Sequence, residues 1–470
     1  MTLHSDQFDQ LISRRTRWAG AFADRIMAAT TELSRLAGEE IGKPREEVVT
    51  AEVLPLVASC RWHRRHARSV LKPRRLGATP WWLWGQSHQM IHRPLGRVAI
   101  IATWNYPIQL LGIQIVQAAV AGNTVVVKPS EHAPRTQTRL LELAWAAGLE
   151  REELSATEAT RSAGEALLAE HDFDHVVFTG STAVGRRIAQ SCAQTLTSST
   201  LELSGRDSAL VLEDANPSHA ARCIWNAVAT NAGQTCMAPR RALVHEAAYR
   251  AFCETLVPLA ASAQPRRLVL PGEAAKIRTQ VREAIDAGGR SAAGILETEA
   301  PDAPIRPTAV LDCPPDAQLV QGDHFGPALA VVPVPSTERA LEIHASIPQH
   351  LATSVWTARP ARIADLADRI GSATVMANDV LVPTAHPAAS IEGRGESGWG
   401  PSRGRRGLHA MSRTVHASRT PIRLRIPPEP PTESQLPMLE RITGITRRAP
   451  SQDAGAGTLN TPDPQMEKRS

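Results

Sequence analysis

Residues 97–131 read RVAIIATWNYPIQLLGIQIVQAAVAGNTVVVKPSE. RVAIIATW is short and almost wholly apolar, the mark of a strand buried on both faces. Pro107 suits the first position of a helix, apolar residues run right round IQLLGIQIVQAAVAG, and Gly122 ends it. TVVVKP is a second buried strand, so a crossover helix joins two strands and a parallel sheet is predicted. Val98 to Val127 carries no charge over 30 residues, long enough to suggest a membrane span. Asn105, Pro107, Gln109, Gln114, Gln117, Gly122 and Asn123 punctuate it, so a buried core is expected and no membrane partner.

The pattern continues on both sides. HVVFTG (175–180), the turn GSTAVG (180–185), the helix TAVGRRIAQSCAQ and the strand SALVLE form a second unit. Pro217 opens the helix SHAARCIWNAVATNA, which stops at Gly233 and delivers the chain to QTC. Strand and helix then alternate through RALVHE, AYRAFCETLVPLA, ALAVVPV, ERALEIHA, ATSVWT, ARIADLADRI and SATVMAN, a second α/β layer. Upstream, residues 1–72 repeat apolar side chains at three and four among Arg and Glu, a helical pattern. Pro73, Gly77 and Pro80 break it, and WWLWGQSHQMIHRPLG suits two short strands about a Gly85 turn. Beyond Pro427 the text is rich in Pro, Ser, Thr and Gly without period, so 428–470 is expected to be a disordered tail.

Composition narrows the class. A chain of 470 residues with 42% hydrophobic and 21% charged residues matches a soluble globular enzyme of two or three domains. The formal charge is +5, and residues 391–470 hold 13 Lys+Arg against 8 Asp+Glu, so residues 1–390 are neutral as a body. A nucleic-acid footprint over the main fold is therefore not expected. The six cysteines (60, 192, 223, 236, 253, 313) contain no C-x-x-C and no Cys/His ligand cluster. No metal site is expected, and free thiols suit a reducing compartment. MTLHSDQFDQ puts acids where a signal peptide needs cations, which points to the cytoplasm.

Five of the cysteines lie in helical or strand pattern and read as inert thiols. Cys236 sits in a turn between a helix end and a strand, where a side chain can be presented to a cleft. With TWNYP (103–107), KPSE (128–131), FTGSTAVG (178–185), LELSGR (201–206), HFGPALAV (324–331) and NDVLVP (378–383), the NAGQTC motif (231–236) resembles the aldehyde dehydrogenase superfamily. The order and rough spacing agree from about residue 91 to 412, and the helical N-terminus with the WWLWG hairpin is most similar to its class 3 and coniferyl aldehyde dehydrogenase branch.

That resemblance implies an α/β fold of two doubly wound domains with a small bridging β arm. Residues 1–206 would be the NAD(P)-binding domain with its helical N-terminus and a bridging hairpin about 78–95. Residues 207–392 would be the catalytic domain, and 393–427 the substrate-funnel loop and bridging strand. It also implies NAD(P)+-dependent oxidation of an aldehyde to a carboxylic acid by a homodimer. Such a reaction needs a nucleophile that makes a tetrahedral adduct, the role given to Cys236. The adduct's oxygen needs prepositioned donors, the Asn105 side chain and the Cys236 N–H. Hydrolysis of the thioester needs a base, which the resemblance places at Glu202; an apolar strand context should raise its pKa toward neutrality.

For the cofactor there is no G-x-G-x-x-G, and Gly180 to Gly185 is followed by Arg186, so it is no Walker A loop either. By resemblance, the Gly180–Gly185 turn, the Ser181 hydroxyl and a helix start meet the pyrophosphate. Lys128 and Glu131 reach the adenosine ribose, and Trp104 and Phe325 line the nicotinamide end. A carboxylate at Glu131 would repel a 2'-phosphate, so NAD is expected over NADP, which relatives also accept.

Departures from the family pattern are Ser204 for a glycine, whose Cβ restricts the backbone, Asp323 for a glutamate that holds the nicotinamide ribose, and Thr103 for a proline. AAGLEREELSATEATRSAGE also replaces an apolar strand, so one sheet edge should be shortened. They leave open a rival reading, a related protein impaired in turnover that serves as a structural or binding protein. Arginine-rich RWHRRHARSVLKPRR (61–75) and GESGWGPSRGRRGLHAMSR (395–413) raise nucleic-acid binding as another, against which a solvated helix face or subunit contact for the first and a funnel loop for the second are the readings preferred.

Overall fold

The computed structural model describes residues 5–77, 80, 83, 85–170, 172–293, 300–420 and 432–443. Val98, Ala99 and Ile100 are wholly buried in the strand Arg97–Ile101, as an apolar run covered on both faces requires. The helix Gln109–Val120 is buried at every position. The chain reverses at Gly122, whose φ of +95° few other residues adopt, into the strand Thr124–Lys128. Six strands form the first sheet, in the order Gly398–Trp399, Ser198–Leu203, His175–Gly180, Arg97–Ile101, Thr124–Lys128, Leu154–Ala156. Only Gly398–Trp399 runs antiparallel to its neighbour. Because the strand order departs in both directions from Arg97–Ile101, a crevice is expected at the carboxyl ends of Arg97–Ile101 and His175–Gly180, where Trp104, Asn105 and Ser181 follow.

The second sheet has seven strands, in the order Arg290–Ser291, Thr308–Leu311, Ala328–Val334, Arg241–His245, Ser208–Val211, Ala352–Trp356, Thr374–Ala377. This corrects one sequence reading. The strand that follows the helix Thr182–Gln194 in the first sheet is Ser198–Leu203, whereas SALV opens the second sheet. Two short apolar runs in succession carry no signal of which sheet each joins. The edge expected to be shortened is the three-residue strand Leu154–Ala156, followed by the helix Arg161–Ala169.

The N-terminal helices Ser5–Ala28, Thr30–Ile41 and Leu54–Leu71 bury Phe22, Ile26, Leu33 and Leu56. Gly112 lets Leu54–Leu71 approach the crossover helix, since a Cβ there would fall 2.4 Å from Leu56 Cδ2. Arg61, Arg64, Arg65 and Arg68 lie on the solvent side of a helix whose other side, with Cys60, Ala67 and Val70, is core. That is the solvated helix face preferred above.

Inside this packing lies a buried ion pair. Lys43 Nζ donates to Glu52 Oε1 at 2.7 Å and to the Asn105 carbonyl at 2.7 Å, and neither side chain of the pair is exposed. Glu52 Oε2 accepts from the N–H groups of Ile108 and Gln109, at 2.7 and 3.2 Å, where the crossover helix begins. A carboxylate there satisfies orphan donors and meets the positive end of the helix dipole.

Two compact units are distinguished. Residues 1–74 with 90–416 hold both sheets, and residues 75–89 with 417–470 form the other. In the latter, Leu76 N–H donates to His88 O at 3.0 Å. Strands are also found at Arg74–Arg75, Ser87–Pro94 and Ser412–Arg419. Of the hairpin expected about 78–95, Trp81, Trp82 and Trp84 lie outside the described residues. Of the expected tail 428–470, residues 432–443 are described and carry the helix Leu436–Thr443 in place of disorder; LPMLERIT has apolar residues at three- and four-residue spacing. Residues 421–431 and 444–470 lie outside the description.

Glu52→Ala would leave Lys43 charged and unpaired in the core, so a loss of about 3–5 kcal/mol is expected by denaturant unfolding. The double exchange Lys43→Met with Glu52→Gln should recover part of it, because no buried charge is then stranded. Equal losses for the single and double variants would contradict the pairing.

Candidate active site

NAGQTC reads as the end of a helix, but the helix Pro217–Ala229 stops earlier. Asn231, Ala232 and Gly233 take successive left-handed angles, with φ of +53°, +52° and +69°. For residues with a Cβ this costs about 1–3 kcal/mol and persists only under constraint. The constraints are visible. Asn231 N–H donates to Glu47 Oε2 at 2.8 Å, and its Nδ2 donates to the Asn105 and Gln234 carbonyls at 2.9 and 3.0 Å. Gly233 lies against the Gly326–Pro327 peptide, where a Cβ would come within 2.3 Å of the Gly326 carbonyl carbon. Arg240, 1% exposed, donates Nη1 to Gly233 O and Gly326 O and Nη2 to Thr235 O, at 2.9, 3.1 and 3.0 Å. One buried guanidinium thus fixes three carbonyls around Cys236, a role that no local sequence pattern announces.

Asn105 meets this loop from the first sheet. Its Nδ2 donates to Gln234 O at 3.0 Å, and the neighbouring Tyr106 hydroxyl bonds Thr235 Oγ1 at 2.8 Å. Thr103, the departure from proline, donates its hydroxyl to Asn105 Oδ1 at 2.9 Å. With its oxygen taken by a hydroxyl, the amide must turn its NH2 toward the Cys236 loop, so this departure helps to orient the residue.

Glu202 arrives on the strand Ser198–Leu203, opposite Gly398 of the antiparallel neighbour. Its Oε1 is buried and has no hydrogen-bond partner among the described residues. Burial pushes the carboxyl up from its ordinary range, eased by the Ser402 hydroxyl, the Arg403 charge and the Gln114 amide. Three residues on, Gly205 presses against the Cys236 loop, since a Cβ there would lie 2.6 Å from the Cys236 carbonyl oxygen. Ser204 takes none of the left-handed angles found elsewhere in the chain, so its Cβ brings no strain. The Cys236 thiol is pushed up to about 12 by burial, then by the carboxyls of Glu202 and Asp207, against the pull of Arg403 and Arg240. Asn105 thus meets the loop that carries Cys236, and the Glu202 carboxyl acts on its thiol, although the three lie far apart in the chain.

The residues assigned to a dinucleotide line the same strand ends. Lys128 is buried and donates to Glu131 Oε2 at 2.7 Å, while the Glu131 side chain stays 46% exposed and free to accept from hydroxyls. Ser181 caps the helix Thr182–Gln194, accepting from Val184 N–H at 3.4 Å. Gly185 lets that helix close on the Glu202 strand, where a Cβ would fall 2.4 Å from Leu203 Cδ2; at Gly180 a Cβ would fall on the Phe178 ring. Gln137 ties the strand ends together, accepting from Ser130 N–H at 2.6 Å and donating to Thr103 O at 2.7 Å. Trp104 and Phe325 meet edge to face, 5.8 Å between centroids. Asp323 is exposed and keeps its carboxylate outside the described hydrogen bonds. Hydroxyl acceptors, a helix start and a flat aromatic wall are the groups a dinucleotide requires, and these residues fit one. Among the described residues no cluster of His, Cys, Asp and Glu could hold a metal, and no helix is long and apolar enough to cross a membrane.

Comparisons with known proteins agree with this geometry. The model of the aldehyde dehydrogenase family matches residues 8–417. The chain is 30% identical over 396 residues to the 4,4'-diapolycopene-4,4'-dial dehydrogenase of Cytobacillus firmus, covering 81% of this chain and 84% of that one. It is 28% identical to a probable coniferyl aldehyde dehydrogenase of Pseudomonas aeruginosa, with 85% of each covered. Among solved structures, PnpE from Pseudomonas sp. WBC-3 superposes with a TM-score of 0.81 at 28% identity, covering 88% of this chain and 86% of PnpE. The NAD+ complex of an aldehyde dehydrogenase from Bacillus cereus does so at 0.81 and 25%, covering 87% and 84%. With the α/β architecture in agreement, the chain belongs to the aldehyde dehydrogenase family and is an NAD(P)-dependent oxidoreductase of aldehydes.

Proposed function

We propose that this enzyme oxidises its aldehyde to a free carboxylic acid through covalent attachment to Cys236. The convergence of Asn105, Glu202 and Cys236 carries the reading. Cys236 Sγ, once deprotonated, adds to the carbonyl carbon and the oxygen gains charge. The Asn105 NH2, turned toward the loop by Thr103, and the Cys236 N–H stabilise that oxygen. NAD+, when bound, would supply the hydride acceptor, and Trp104 and Phe325 would stand beside its nicotinamide. The remaining thioester is hydrolysed by water whose proton passes to Glu202, whose buried, unpartnered Oε1 suits such an acceptor. Hydrolysis is favoured over acyl transfer to a thiol carrier because a base stands beside the sulfur.

Lys128 and Glu131 hold the adenosine ribose in this reading, Gly180, Ser181 and Gly185 the pyrophosphate, and Asp323 the nicotinamide ribose. The half-exposed Glu131 carboxylate disfavours a 2'-phosphate, so NAD is preferred. The impaired-turnover alternative loses support at Ser204, which is unstrained. All six cysteines are free, which supports a reducing, cytoplasmic setting, and family membership supports a homodimer.

Cys236→Ala should abolish aldehyde-dependent NADH formation. Glu202→Gln should release one equivalent of NADH in a burst and then stall, which stopped-flow absorbance resolves. Full steady turnover by the cysteine variant would overturn the mechanism. The raised thiol gives a second expectation. Without cofactor, the thiolate fraction of Cys236 at pH 7.5 is below that of an ordinary cysteine and rises with pH. Iodoacetamide labelling, followed peptide by peptide, should therefore be slower at Cys236 than for a free thiol and should climb steadily between pH 7 and 10.

A further inference from the structure

The reaction as described leaves one charged neighbour of the site unused. Arg403 is 7% exposed and takes left-handed angles, φ +66°, which a residue with a side chain keeps only under constraint. Its N–H donates to Gln117 Oε1 at 3.0 Å, its carbonyl accepts from Ser390 Oγ at 3.2 Å, and its Nη1 donates to Thr384 O at 2.5 Å. The preceding Ser402 bonds Ile391 in both directions, at 2.9 and 2.8 Å. Ile391 packs with Met237, Leu351 and Met376 in the apolar cluster that Cys236 borders. The guanidinium is thereby held between the wall of the nucleophile and the turn Val382–Ala385.

Its charge is felt at both Cys236 and Glu202, yet no described carboxylate lies within ion-pairing distance of it. A guanidinium carries five N–H donors, and a buried cation demands acceptors. Nη1 has one protein acceptor; Nε and Nη2, the two nitrogens that make a side-on fork for a carboxylate, have none among the described hydrogen bonds. With Cys236 and Glu202 both held toward their neutral forms, neither compensates the cation, and only Nη1 has an acceptor, the Thr384 carbonyl of the 382–385 turn.

We propose that Arg403 selects the substrate: an aldehyde that also carries a carboxylate, whose two oxygens engage Nε and Nη2 while its carbonyl carbon meets Cys236. The proposal rests on Cys236 as the nucleophile. It makes the enzyme one for short oxo-acids, producing dicarboxylic acids, and places it after a reaction that generates such an aldehyde.

The full-length enzyme with saturating NAD+ tests this in matched pairs, 4-oxobutanoate against butanal and 4-carboxybenzaldehyde against 4-methylbenzaldehyde. In at least one pair the acid should be favoured about tenfold or more in kcat/KM, chiefly through KM. Arg403→Met should lose at least about thirtyfold more with that acid than with its neutral partner, and Arg403→Lys should recover part. Equal or better use of the neutral aldehyde in both pairs would overturn the proposal. So would an equal loss on acid and neutral substrates in Arg403→Met with slower iodoacetamide labelling of Cys236, which would assign the charge to the thiol instead. Binding is read separately, by the thermal unfolding of the cofactor-free chain with 4-oxobutanoate or butanal. Protection by the acid alone, lost in Arg403→Met, supports Arg403 even if no aldehyde yields NADH, an outcome that would count against the Cys236 mechanism only. Absence of protection in the wild type, together with no preference in turnover, overturns it without requiring any variant to fold.

Discussion

A lysine and a glutamate with no exposed surface, Lys43 and Glu52, hold the strand end that carries Asn105 to the N-terminal helices. Taking two such charges out of water costs several kcal/mol each, and the cost is offset only where every donor and acceptor finds a partner. Glu52 finds the ammonium and two helix N–H groups; Lys43 finds Glu52, the Asn105 carbonyl and the face of Tyr106, 3.8 Å from its centroid. The same Asn105 carbonyl accepts from Asn231 at 2.9 Å, and the Tyr106 hydroxyl reaches Thr235. Removing the pair would therefore loosen both halves of the site, the strand end that carries Asn105 and the loop that carries Cys236. The N-terminal helices thus brace the proposed site from behind, through Lys43 and Glu52.

A second constraint acts on the cysteine loop. Three left-handed residues in succession would not persist alone, and besides the bonds of Asn231 and Glu47, close backbone contact holds them. Gly233 lies on the Gly326–Pro327 peptide, and Gly205 lies on the Cys236 carbonyl. Where two backbones approach this closely a methyl group has no room, so the glycines fix position by what they lack. Arg240 then gathers the carbonyls of both segments. The segment that carries Phe325 and the loop that carries Cys236 are consequently tied to each other, as the proposed mechanism requires.

The sequence and the structure agree most where burial is symmetric. Val98–Ile101 and Val125–Val127 read as strands because nothing polar interrupts them, and they are. Asn105, Glu202 and Cys236 could be singled out through family resemblance, since each alone is an ordinary side chain. What was illegible is charge at the centre. Lys43, Glu52, Arg240 and Arg403 look like surface residues in the text because their partners are backbone carbonyls or residues remote in the chain, and no local pattern announces such a partner. The helix read through Ala232 failed for a related reason. Asn231 and Gly233, both tolerant of left-handed angles, were the available signal, but the force that turns the chain there comes from Glu47, Asn105 and Gly326.

The coupled carboxyl and thiol also order the proposed half-reactions. Cys236 is raised by burial and then by Glu202, so an ionised Glu202 makes the thiolate harder to form. While the sulfur must be a thiolate, a neutral Glu202 and the nearby guanidinium groups of Arg240 and Arg403 favour it. Once the sulfur is acylated it can carry no charge, and the electrostatic penalty on an ionised Glu202 falls. The carboxyl then becomes a better proton acceptor in the step that needs one, hydrolysis of the thioester. A single buried pair can thus serve first a nucleophile and then a base without either group leaving its place, because the covalent state of the sulfur sets which of them bears the charge.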